Sequence, residues 1–215
     1  MYTNCNQSVY IFIFVWYNES VGEIMKLYHV SKVPNIEVLQ PKKSTHGISY
    51  VYATSNLELA LLFGSSKSYG DFDGVYGTKN GKPFFYEAYQ NALKRRFENE
   101  ECYIYEVDSK TFKRGKTSFK SEVVSEDPVR VLSCKRVDDL YSLLLSLINE
   151  KKISYEPYNE NCAEYVEMIN EHIKDRLISF GILQNKDSMT YKFCKEKFPS
   201  LINELELKNE QNKEQ

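Results

Sequence analysis

The strand-like segments of this chain lie almost wholly before residue 138, and from about residue 158 onward the pattern is helical. That segregation constrains the fold more than any other feature, because a doubly wound parallel sheet needs strands and helices in alternation. Residues 27–31 and 50–54 ("YVYAT") are rich in β-branched and aromatic side chains and read as strands. In "SNLELALLFG", Ser55 or Asn56 is placed to cap a short apolar helix, and Gly64 to end it. Residues 32–48 read as loop with one short extended piece, and residues 64–83 as loop. Residues 84–97 read as strand passing into helix, and 102–108 ("CYIYEVD") as strand by its alternation. Two short strands are expected around Asp127-Pro128, then a helix capped by Asp138. The expected class is α+β. No GxGxxG follows a strand and no GxxxxGK[ST] occurs, so the phosphate-binding turns of Rossmann and P-loop proteins are missing.

At 215 residues, with 42% hydrophobic and 27% charged content, the chain suits one packed domain with an appendage. The expected division is a domain over 25–152 and a helical extension over 153–215. The net charge of −2 argues against a general electrostatic grip on nucleic acid and leaves room for a local patch. Cys5, Cys102, Cys134, Cys162 and Cys194 are scattered, odd in number and free of CxxC pairs. Neither a zinc site nor a disulfide framework is indicated, and a cytoplasmic setting is expected. Residues 9–17, "VYIFIFVWY", are too short to span a bilayer, so no membrane role is expected. Gly22-Glu23-Ile24-Met25 is encodable by a sequence that looks like a bacterial ribosome-binding site ahead of a start codon. The natural start is therefore expected at Met25, with residues 1–24 a mis-called extension.

Three segments carry polar or aromatic residues inside apolar strand patterns: "YHVS" (28–31), "VYATSNLELALLF" (51–63) and "SEVVSEDPVRV" (121–131). Taken singly, each has a plain structural reading: a hydrogen-bonded core histidine, one tyrosine of 17, an edge charge. Together and in this order they resemble the ADP-ribosyltransferase superfamily, in the His-Tyr-Glu group that includes diphtheria toxin and the poly(ADP-ribose) polymerases. The resemblance covers roughly residues 26–135. It implies a split antiparallel sheet with flanking helices, and NAD as substrate with no metal. It assigns His29, Tyr52 and Glu122 as catalytic and His29, Val30, Ser31, Tyr52 and Tyr50 as NAD-binding; His46, just before the second strand, is a further NAD-binding candidate near the adenosine, with a plain turn as its alternative reading. The chemistry suits those types. Breaking the nicotinamide–ribose bond builds positive charge on the sugar, which a carboxylate such as Glu122 stabilises. A tyrosine ring, here Tyr52, stacks on the cationic nicotinamide. His29 suits a ribose hydroxyl and Ser31 the carboxamide.

The chain departs from the family at Val30, where glycine is usual. Tyr50 competes with Tyr52, and Glu126 or Glu106 with Glu122. Lys26 is the only basic residue on the first strand, which sets the arginine-led group of the same fold aside. The resemblance implies a macromolecular acceptor, protein or nucleic acid, and a bacterial or phage toxin or defence role. An antitoxin or other protein partner would meet the C-terminal helices. One rival reading is a papain-like amidase or acyltransferase with Cys162 at a helix N-terminus and His29 or His46 as its base. Another is an inert ADP-ribosyltransferase-like binding module. "KRRFENEE" (94–101) reads as a solvated helix end whose Lys94, Arg95 and Arg96 are available to a phosphate.

Overall fold

A computed structural model describes residues 26–43, 48–67, 69–117 and 119–211. The expected start at Met25 and the candidate His46 lie outside the described residues. The elements run β1 (Leu27–Ser31), β2 (Val38–Leu39), β3 (Lys42–Lys43), β4 (Ser49–Ala53), α1 (Leu57–Leu61), β5 (Gly74–Lys79), β6 (Lys82–Glu87) and α2 (Ala92–Phe97). They continue as β7 (Cys102–Val107), β8 (Lys113–Arg114), β9 (Val123–Ser125), β10 (Val129–Val137), α3 (Leu140–Asn149), β11 (Ser154–Glu156), α4 (Ala163–Ser179), α5 (Met189–Lys197) and α6 (Pro199–Gln211). The class is mixed α+β. Two antiparallel four-stranded sheets, ordered β1-β7-β10-β2 and β3-β4-β9-β8, stand beside a three-stranded sheet ordered β11-β6-β5.

Alternation along β1 and β7 divides the interior in two. Leu27, Tyr105 and Val107 turn toward Val51, Ala53 and Val123 of the second four-stranded sheet. Cys102 and Ile104 turn the other way, onto Leu59 and Leu62 beside α1, Leu93 and Phe97 of α2, and Leu140 and Leu144 of α3. Asn56 caps α1, its Oδ1 accepting from Leu59 N at 2.7 Å. Asp139, one residue after the expected cap, does the same for α3 through Ser142 N at 2.9 Å.

Residues 74–79 are strand rather than loop. Asn80 (φ 53°) and Gly81 (φ 77°) form a two-residue turn with both positions left-handed, and β5 and β6 pair from Lys79↔Lys82 back to Gly74↔Glu87. β11 pairs parallel with β6 at Ser154↔Phe84 through Glu156↔Tyr86, so the segment from residue 153 begins inside a sheet. The helices beyond it build their own core. Ile169, Ile173 and Leu177 form one stripe of α4 and meet Cys194, Leu201 and Ile202, with Phe72 and Ala88 contributed from the strand region. No helix among the described residues is long and apolar enough to cross a membrane.

Candidate functional site

β1 and β4 would be neighbours in a continuous sheet, yet only one bridge joins them. Tyr28 N donates to Thr54 O at 2.8 Å and Thr54 N to Tyr28 O at 3.1 Å. Past that bridge the two four-stranded sheets diverge. The His29 ring enters the gap, and its Nδ1 donates to Tyr52 O at 2.8 Å. A carbonyl only accepts, so Nδ1 carries the proton and Nε2 of the neutral ring is an acceptor. Burial pushes the His29 pKa below its ordinary value. It outweighs the Tyr52 hydrogen bond, and the positive charge of Lys42 acts in the same direction as burial. A side-chain bond thus replaces a lost rung of the backbone ladder, and it fixes the imidazole as a neutral acceptor.

The same geometry exposes the Val30 backbone. Tyr28 spends its N–H and C=O on β4, so in β1 the even-numbered residues face β4 and the odd-numbered ones face β7. Val30 is the next even-numbered residue, beyond the last bridge to β4, and its N–H and C=O open onto the split. This donor–acceptor pair matches a primary carboxamide, and a valine presents it as a glycine would. The Val30 side chain packs into the core beside α1 and α3.

Glu122 directly precedes β9, which pairs with β4 at Ala53↔Val123 and Tyr52↔Val124. Its N–H closes a turn onto Phe119 O at 3.0 Å. The result is a cavity of about 250 Å³ lined by His29, Val30, Tyr52 and Glu122, with Phe63 and Phe119 among its remaining walls. That is the size of a site for a ring rather than for a whole dinucleotide. A second cavity of about 460 Å³ shares His29, Val30 and Tyr52, and adds Ser31, Tyr50 and Lys42. The three shared residues border both cavities, the smaller and the larger lobe of the split. Lys42 is exposed and places a cation at the larger lobe.

The sequence candidates thus separate. Tyr52 lines both lobes, whereas Tyr50 is buried, lines the larger one and packs edge-on against Tyr52 at 5.9 Å. Ser31 lines the larger lobe, and its Oγ accepts from Val33 N at 3.1 Å. Glu126 is exposed beyond the far end of β9. Glu106 pairs with Lys26 at 3.4 Å and lines a separate groove with Leu57 and Leu143. Glu122 alone of the three carboxylates lines the smaller lobe.

Cys162 is the N-cap of α4. No Cys162–histidine hydrogen bond forms among the described residues: His172 is ten positions along the same helix, about 15 Å away, and Cys162 lines neither lobe that His29 lines. Arg95 and Arg96 are not a solvated helix end. Arg95 donates to the buried Asp73 at 2.9 and 2.8 Å. Arg96 is buried and donates to the carbonyls of Gly70 and Leu62.

Phe119 and Lys42 were not singled out by the sequence. A signal for Phe119 existed, since it is the single aromatic of the cationic run 113–121 that leads into Glu122. No group of three or more His, Cys, Asp or Glu that could hold a metal occurs among the described residues. Compared with known proteins, the chain matches no family model, no curated protein and no solved structure.

Proposed function

We propose that this chain transfers ADP-ribose from NAD to a macromolecular acceptor. One observation carries the reading: His29, Tyr52 and Glu122, from three separate strand segments, line one small cavity at a split between sheets. The split-sheet arrangement is also the one that the resemblance to the His-Tyr-Glu ADP-ribosyltransferases implies.

The residues suit the task. The open N–H and C=O of Val30 match the nicotinamide carboxamide, and the Tyr52 ring suits the face of a cationic pyridinium. Neutral His29, which borders both lobes, offers Nε2 to a ribose hydroxyl. Lys42 suits the pyrophosphate in the larger lobe. Glu122 faces the position where the sugar gains positive charge, so its carboxylate is worth more in the transition state than in the ground state. The bond between ribose C1′ and the pyridinium nitrogen breaks, and its electron pair leaves with neutral nicotinamide. An acceptor oxygen or nitrogen forms the new bond to C1′ and releases its proton.

The test incubates the purified chain and a Glu122→Gln variant with labelled NAD and a cell lysate, and reads nicotinamide release and label on macromolecules. Label that the variant fails to transfer supports the reading. Binding of NAD with neither release nor transfer by the wild type would favour the inert module instead.

A further inference from the structure

The charge on this chain is not evenly spread. Residues 77–83 (GTKNGKP) and 109–121 (SKTFKRGKTSFKS) hold seven cations and no carboxylate, in a protein of net charge −2. Phe119 of the second segment lines the smaller lobe, and the first segment is tied to the second two residues further on. The Thr78 and Ser121 hydroxyls hydrogen-bond each other, and Asn56 Nδ2 donates to Gly81 O at 3.4 Å, which ties the hairpin tip to the start of α1. β8 pairs with β9 at Lys113↔Val124, one residue on from the strand position that follows Glu122.

The cations face solvent. Lys79, Lys82, Lys113, Lys116 and Lys120 are all exposed, and none of them pairs with a carboxylate among the described residues. Lys79 and Lys82 stand directly opposite each other across the β5–β6 hairpin. Like charges at that position destabilise a strand pair. No carboxylate of the described residues pairs with either lysine, and a bound polyanion would offset the repulsion.

Aromatic rings sit among these charges. Phe63 is 43% exposed at the rim and meets Phe119 edge-on at 5.9 Å and Tyr76 at 5.5 Å. A lysine-rich surface with one exposed ring, Phe63, and the half-buried Phe119 beside it is a combination that suits an unpaired strand, with phosphates on the cations and bases on the rings. An acidic protein would use the charges and not the exposed face of Phe63.

We infer that the acceptor is a single-stranded nucleic acid, held by Lys79, Lys82, Lys113, Lys116 and Lys120 with bases stacked on Phe63 and Phe119, so that an unpaired nucleotide meets Glu122. This rests on the ADP-ribosyl transfer proposed above, and binding can be measured without it. Fluorescence anisotropy in the absence of NAD would follow labelled DNA and RNA single strands of about 12 nucleotides, within the span of known single-strand sites. A matched duplex and poly-glutamate serve as competitors. The expected results are tight binding of a single strand and poor competition by duplex and poly-glutamate. The triple variant Lys113→Gln/Lys116→Gln/Lys120→Gln should bind about tenfold more weakly and reduce the salt slope of log K by about 2. Phe119→Ala should weaken binding with the slope unchanged. The DNA and RNA arms identify the sugar. No binding, binding indifferent to the triple variant, or better competition by poly-glutamate or duplex would overturn the inference. Strand binding without label transfer from NAD would sink the transferase reading and leave the strand site standing. Transfer to protein without strand binding would do the reverse.

Discussion

At the scale of single residues, His29 and Glu122 do different work, and separate measurements resolve them. Glu122→Gln keeps the shape of the side chain and removes its charge. Nicotinamide release is expected to fall about 10²- to 10³-fold, the usual loss for one preorganised stabiliser, while NAD binding by calorimetry persists. His29 also holds the split together, so its substitutions should act on stability as well. In His29→Asn the amide can still donate to Tyr52 O; in His29→Ala no side-chain donor remains, and a half-buried acceptor loses that bond at a cost of about 1 kcal/mol. Urea unfolding should therefore rank wild type, Asn and Ala in that order. The pH dependence has a definite sign. Because burial holds the His29 pKa below 6.5 in the folded chain, the unfolded chain takes up that proton first as the pH falls. The stability contributed by the neutral ring is complete above pH 6.5 and is lost as the pH falls through the lower folded value. The wild-type stability curve should fall more steeply below pH 6.5 than that of His29→Asn. Burial lowers His172 as well, so some slope remains in both proteins. Equal slopes would mean that His29 is not the group responsible.

At the scale of elements, what could be read from the sequence depended on whether a signal was local. The β1, β4 and β7 segments announced themselves through alternation and β-branched or aromatic content, and Asn56 through its place before an apolar run. The α+β class followed from their order. β5 was hidden because its Gly-Val-Tyr-Gly-Thr-Lys segment is weak by propensity and gains its structure from β6. The signal that would have found it is the Asn80-Gly81 turn between two strand-length runs. β11 was hidden because three residues carry no period, and only pairing with β6 defines them. The candidate site was legible as residue types in order. Its geometry was not, because a split between sheets is a missing set of hydrogen bonds, which no residue advertises. Replacing Gly81 by valine tests the hairpin. Its φ of 77° suits glycine and is strained for a β-branched residue, with open space around it, so backbone conformation rather than a clash sets the penalty. A loss of about 1–2 kcal/mol in urea unfolding is expected, together with weaker single-strand binding, since Lys79 and Lys82 lie on either side of the turn.

At the scale of the whole molecule, the question is how the C-terminal helices are joined to the strands that form the candidate site. The join is partly polar. Asp73 is fully buried, and burial raises its pKa against the pull of its hydrogen bonds to Tyr89 and Arg95. Arg95 donates to Asp73 through two nitrogens and lies 4.7 Å from the Phe193 ring of α5. One guanidinium therefore neutralises a carboxylate of the strand region and packs on the helical layer. Removing this cation leaves a buried acid with Tyr89 as a hydrogen-bond partner and only the charge of Arg96 nearby, so Arg95→Met should destabilise by about 3 kcal/mol. Asp73→Asn/Arg95→Met removes both charges and should recover a large part of that loss. The two changes then couple strongly in a double-mutant cycle. The raised Asp73 pKa adds a pH signature. Its contribution is complete below the unfolded value and declines as the pH rises through the folded one, so the Arg95→Met penalty should shrink in acid, where Asp73 holds its proton. Neither residue lines the lobes at the split, so NAD binding by the folded variants is expected to match the wild type. A variant that keeps its stability yet loses NAD binding would show instead that the helical layer sets the shape of the site.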